Sequence, residues 1–111
     1  MLIIALALFA CAAVLGLVLL SFVLSKKETP KAVAIVHGLF AVSGVTLLIL
    51  YSLWYNPSPI LSLGIFILAA LGGLTLIYRD LTGRSLPSWM ALGHGFVAVI
   101  GFITLAVFIF S

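Results

Sequence analysis

Four long stretches of this chain carry almost no charge, and that leaves few folds open to it. The spacing of charges, prolines and turn residues predicts helices over 2–24, 30–55, 59–78 and 87–110. Each is close to or above the roughly 20 apolar residues that cross a hydrocarbon layer as a helix. Overall, 66% of the 111 residues are hydrophobic and 6% are charged. A soluble domain carries about 25% charged residues. So little charge cannot cover a water-facing surface, so the surrounding medium is lipid. The expected fold is all-α: an integral membrane four-helix bundle forming one four-span domain over residues 1–111.

The connections support this division. Ser25 to Thr29 is a short polar loop, and Thr29-Pro30 reads as an N-cap followed by proline at the first helical position. Asn56-Pro57-Ser58-Pro59 is an uncharged turn. Residues 79–86 form the third loop. Tyr51, Trp54 and Tyr55 at one end of the second span, and Trp89 at the start of the fourth, fit aromatic belts at the membrane interfaces. The first span lacks a basic leader region and is longer than a typical signal core, so it reads as a membrane helix. All five basic residues, Lys26, Lys27, Lys31, Arg79 and Arg84, lie in or beside loops 25–29 and 79–86. Positive charge marks cytoplasmic loops. The expected location is therefore a membrane of the bacterial inner (cytoplasmic) type, with both termini outside. A formal charge of +3 in this setting carries no implication of nucleic acid. The single cysteine, Cys11, lies in an apolar run and reads as a small hydrophobe.

The chain also repeats itself. Pro30, Ala34, His37, Gly38, Ala41, Val42 and Gly44 recur as Pro87, Ala91, His94, Gly95, Ala98, Val99 and Gly101, a shift of 57 residues. The register holds without a gap from Ile3 to Leu48, with 17 identities in 54 aligned positions. The repeats are 1–56 and 57–111, each a helical hairpin. Two spans per unit preserve orientation, so the repeats are parallel and related by an axis along the membrane normal.

His37 and His94 are the only histidines, and they occupy equivalent places. Each lies seven residues past its entry proline, roughly 10 Å along a helix rising 1.5 Å per residue. If the second and fourth helices are diagonal, both imidazoles face the bundle axis at one depth. The helical face around His37 is Ala34, Ala41 and Gly44; around His94 it is Ala91, Ala98 and Gly101. An imidazole in a stripe of small residues suits a flat ligand: the ring reaches it, and the small residues leave room for its plane. Ionisable groups inside a span are costly and mark function. Haem iron is commonly held by axial histidines, each needing its other ring nitrogen satisfied, here by a backbone carbonyl one turn back. Lys27, Lys31 and Arg84 stand where haem propionates would emerge.

On these features the chain resembles the small four-helix membrane b-type cytochromes, in which histidines on bundle helices ligate haem b. The resemblance covers the architecture of the whole chain, with His37 and His94 as its residue-level content. It implies a bis-histidine haem without an open iron position. The implied role is therefore electron transfer rather than catalysis on a substrate. Such a role needs a quinone or a redox protein as partner, and four short spans also suit a homo-oligomer.

Three other readings compete. The histidines can be structural, bonding across the bundle of a cofactor-free protein that acts in interaction or assembly. They can bind a metal or handle protons; Met90, four residues before His94, suits Cu(I), although its counterpart Val33 does not. The length and span count are similar to the small multidrug transporters, but those depend on a glutamate in the first helix, and none stands there. Ser43 and Thr46 lie near His37, but no carboxylate orients a histidine for nucleophilic catalysis. Local bonding to helix carbonyls is the expectation for Ser43, Thr46 and Ser52.

Overall fold

Each uncharged stretch becomes one helix, because in lipid a spanning backbone must satisfy its own hydrogen bonds. The computed structural model describes residues 1–111, with α1 at Leu2–Leu24, α2 at Lys31–Trp54, α3 at Ile60–Leu81 and α4 at Ser88–Phe110. There are no strands. All four helices are long and apolar enough to cross a membrane. The bundle measures 43 × 19 × 19 Å.

α1 packs on α2 and α3 on α4, as hairpins must. The hairpins meet through α1 against α4 and α2 against α3. The diagonal pairs, α1 with α3 and α2 with α4, make no close backbone contact. Helices α2 and α4 are thus diagonal, and residues on their inner faces meet only across the axis.

The interior is thin and built in image pairs. Phe9 and Phe66, 57 positions apart, stack face to face at 3.8 Å with planes 3° apart. Beyond them Leu48 and Leu105 are fully buried, with Ala5 and Ser62 beside them. Outward positions such as Leu17, Leu39, Leu74 and Phe96 remain exposed. A helix apolar on every side suits lipid contact. Small residues allow the close approach that packing in lipid requires. Gly44 shows this directly: a Cβ there would lie 2.8 Å from the ring of Phe9. At its image Gly101, a Cβ would lie 3.1 Å from Phe66.

Two boundaries differ from the sequence reading. Pro30, not Thr29, is the residue at the start of α2, with an extended backbone and no side-chain cap. The Thr29 hydroxyl instead donates to Asp80. At the other boundary α3 continues past Tyr78 to Leu81. It stops only where Gly83 adopts φ +75° and donates to the Asp80 carbonyl at 3.3 Å, while Arg84 N donates to Arg79 O at 2.8 Å. This left-handed cap sets the helix end, so the charges at Arg79 and Asp80 fall inside the last turns. The Asn56–Pro57 peptide of the α2–α3 turn is cis.

Candidate histidine centre

The site begins with two carbonyl groups. Ala12 on α1 and Ala69 on α3 each have a glycine one turn on, Gly16 and Gly73. In a helix the carbonyl of residue i already accepts from the N–H of i+4, but its oxygen has a second lone pair. Without a Cβ on the glycine, an imidazole from the partner helix can slide in beside that oxygen. His37 Nδ1 lies 2.7 Å from Ala12 O, and His94 Nδ1 lies 2.8 Å from Ala69 O. The fit is close. A Cβ on Gly16 would stand 3.1 Å from His37 Cε1, and one on Gly73 would stand 3.0 Å from His94 Cε1.

These bonds fix the chemistry of the rings. A carbonyl only accepts, so Nδ1 carries the proton in each neutral imidazole, and Nε2 keeps its lone pair. Nδ1 makes the only hydrogen bond of each ring. The sequence placed the supporting carbonyl on the histidine's own helix. It belongs instead to the preceding helix, 25 residues back, so each bond also ties a hairpin together.

The two rings meet across the axis with centroids 6.2 Å apart and planes at 84°. Imidazole nitrogens bind metal ions at about 2.0–2.1 Å, and half a ring on either side brings two collinear ligating imidazoles to about 6.5 Å between centroids. The observed separation of the ring centres is close to that figure. No group of three or more histidine, cysteine or acidic side chains converges here or elsewhere. A four-coordinate zinc site needs more protein ligands than two. Two imidazoles suit a metal that brings its own remaining donors, as a porphyrin does. The residues present fit haem iron in donor type and tautomer.

The structure redistributes the small residues assigned to this site. Ala34 is buried on the inner face of α2, and Ala41, Ala91 and Ala98 are half-buried along the same faces. Gly44 and Gly101, expected to leave room for the ligand plane, seat Phe9 and Phe66 instead. They lie two turns beyond the histidines, where the phenylalanine stack closes the axis. At the depth of the rings, the residues with little or no side chain are Ala12, Gly16, Ala69, Gly72 and Gly73, on α1 and α3. Sequence reasoning missed Gly16, Gly73 and the phenylalanines as partners of this site. The signal was available, since both pairs are identities at the shift of 57.

Other expectations resolve simply. Ser43 and Thr46 donate to the carbonyls of Leu39 and Val42, each at 2.8 Å. Ser52 Oγ is buried without a partner, so local bonding does not extend to it. Met90 lines a shallow groove of about 420 Å³ between α3 and α4 that also reaches Gly72 and His94. Lys31, one of the three cations offered for propionates, is paired with Asp80.

The chain matches no protein-family model, no curated protein and no solved structure.

Proposed function

We propose that the protein is a membrane b-type cytochrome, with one haem b held between His37 and His94, and that it passes electrons. The observation that carries this reading is the paired imidazoles, each tied at Nδ1, free at Nε2, and 6.2 Å from the other. The Ala12 and Ala69 carbonyls orient the rings and raise the basicity of Nε2, as the outer partners of metal-bound histidines do. Gly16 and Gly73 let the rings lie against the backbone of α1 and α3. The stacked Phe9 and Phe66 close the axis on one side of the centre. Haem held there by His37 and His94 would supply one-electron redox chemistry. The electron partners are a quinone or a redox protein. By the distribution of lysine and arginine, the protein sits in a bacterial inner membrane with loops 25–29 and 79–86 in the cytoplasm and both termini outside.

A second reading draws on the same hydrogen bonds. Each joins the two helices of one hairpin, so the histidines also serve as clasps in a cofactor-free bundle acting in assembly.

An optical spectrum of the purified protein, made with ample haem and reduced with dithionite, separates the two. Sharp, split α and β bands on reduction are expected, and His37→Ala and His94→Ala should each abolish them while the protein still inserts. A spectrum without visible bands in the wild type, also after haem is added to the pure protein, sinks the cytochrome. Haem retained by the double alanine variant does the same to the ligand assignment.

A further inference from the structure

At the loop end of the bundle, a polar cavity of about 490 Å³ opens between residues 26–31 and 80–88. Its wall includes Lys26, Lys27, Lys31 and Arg84, against Glu28 and Asp80. Lys31 is already committed, because its Nζ donates to the Asp80 carboxylate and, at 3.2 Å, to the Thr29 hydroxyl. Thr29, itself buried, donates to the other Asp80 oxygen. This closed triangle neutralises the acid and braces the wall. What remains is three cations without an acid partner, Lys26, Lys27 and Arg84, the last with its guanidinium 6.0 Å from the centre of the Tyr78 ring, and Glu28 as the one uncompensated acid.

The backbone at Lys26 is a second, separate observation. Lys26 has φ +56°, and its image in the repeat, Gly83, has φ +75°. Both end their helix with the same pair of backbone bonds: Lys26 N to Val23 O at 3.1 Å and Lys27 N to Phe22 O at 2.9 Å in the first copy, and their images in the second. This left-handed position favours glycine, since a Cβ is disfavoured there. The first copy carries a lysine at a backbone cost that the second copy avoids. The cost is explained if the ammonium, and not the turn, is what the position serves. Strain of this kind collects at functional sites.

We propose that this cavity binds a phosphate group through Lys26, Lys27 and Arg84. Ammonium and guanidinium groups are the side chains that recognise phosphate. The site lies just beyond the apolar spans, at the depth of lipid headgroups, and basic pockets between spanning helices take anionic headgroups. A phosphate of a cytoplasm-facing lipid and a soluble phosphate present the same chemistry to it. The site needs no haem, although Lys27 and Arg84 are also the cations that the histidine reading offers to haem propionates, so binding is read on protein without haem.

The test uses the full protein in nanodiscs of phosphatidylcholine alone, with added phosphatidylglycerol, or with inorganic phosphate in the buffer. Native mass spectrometry reads the bound anion, and thermal unfolding reads the fold. Lys26→Gly removes the charge and relieves the turn, so the midpoint without anion should hold or rise while binding weakens about fivefold, the usual worth of one basic residue near a charged surface. Arg79 lies outside the cavity wall and donates from Nε to the carbonyl of Ser85 in that wall at 2.8 Å; Arg79→Gln removes the charge but keeps an N–H donor for that carbonyl, and should leave binding unchanged. Binding of phosphatidylglycerol alone identifies a lipid headgroup, and binding of inorganic phosphate identifies a soluble anion. The site is overturned if neither binds the wild type. It is also overturned if Lys26→Gly binds as tightly as the wild type, or if Arg79→Gln loses as much as Lys26→Gly.

Discussion

At the depth of the histidines, the two halves of the chain do the same thing twice. His37 bonds to Ala12 and lies on Gly16; His94 bonds to Ala69 and lies on Gly73. At the loop end the halves do different things. Asp80, Lys31 and Thr29 form one bonded cluster between α3 and the start of α2, while their images are Val23, Ser88 and Leu86. The difference has a geometric source. On the axis of a duplicated bundle, a side chain meets its own image, as Phe9 meets Phe66 and His37 meets His94. A change in one half there must suit its copy in the other. Away from the axis, α2–α3 and α4–α1 are separate interfaces, and one can acquire an ion pair without the other. The axis therefore holds what the two halves repeat, and the periphery holds a contact that the α2–α3 seam makes and the α4–α1 seam does not.

The phenylalanine stack offers the largest break. Phe9 and Phe66 each bury their ring against the other and against a glycine of the partner helix. Truncating a buried phenylalanine to alanine costs about 3–5 kcal/mol in soluble cores. In lipid the transfer part of that cost falls away and the packing part remains, so a loss near the lower end is expected. Phe9→Ala and Phe66→Ala should lose the same amount in an SDS unfolding titration, and the double variant much less than the sum, because one stack is lost in every case. Unequal single losses would mean that one ring, and not the pair, fills the axis.

A smaller effect sharpens the histidine half of the comparison. Gly16→Ala and Gly73→Ala each place a Cβ about as close to an imidazole carbon as packing tolerates, at 3.1 and 3.0 Å. The ring must give way by a few tenths of an ångström, which strains its bond to Ala12 or Ala69. Gly38 and Gly95, the residues directly after the histidines, face open space. Alanine there should stabilise the helix by up to about 1 kcal/mol, the usual glycine-to-alanine difference. The same substitution thus has opposite signs on facing helices at nearly one depth. Thermal unfolding of the four variants reads the sign; on the proposed haem reading, the reduced spectrum reads the centre, and only Gly16→Ala and Gly73→Ala should weaken haem retention.

Much of this was legible in the sequence because it follows from period and symmetry. Charge-free runs fixed the four spans, and the shift of 57 fixed the equal depth of His37 and His94. The parallel repeat made a diagonal placement of α2 and α4 natural, and the contacts between helices bear it out. What escaped were questions of which neighbour fills which gap. A small-residue stripe states that something comes close, not what. Gly44 and Gly101 were assigned to a ligand and receive phenylalanine rings, since a helix face carries no record of the side chain opposite. The partner of Nδ1 escaped for the same reason: a carbonyl is present at every residue, and only the missing Cβ at Gly16 singles out Ala12. Asp80 was read as loop, because the helix was ended at its first charges and not at the Gly83 cap.

The smallest expected effect lies in the half of the comparison that has no image. Lys31 is partly exposed and can turn to water, so the ion pair alone contributes only about 0.2–1 kcal/mol. Thr29 is different. Its hydroxyl is buried, and Asp80 is the acceptor of its proton. Leaving a buried donor without a partner costs about 1–3 kcal/mol. Two variants separate these contributions. Asp80→Asn removes the charge but keeps a side-chain oxygen for Thr29, so it should lose well under 1 kcal/mol, and the loss should shrink as salt screens the pair. Asp80→Ala removes both and should lose about 1 kcal/mol more, with that extra part insensitive to salt. Equal losses in the two variants would mean that the Thr29 bond contributes nothing. The brace would then be a surface ion pair and no more, and the loop end would be held by the helix caps alone.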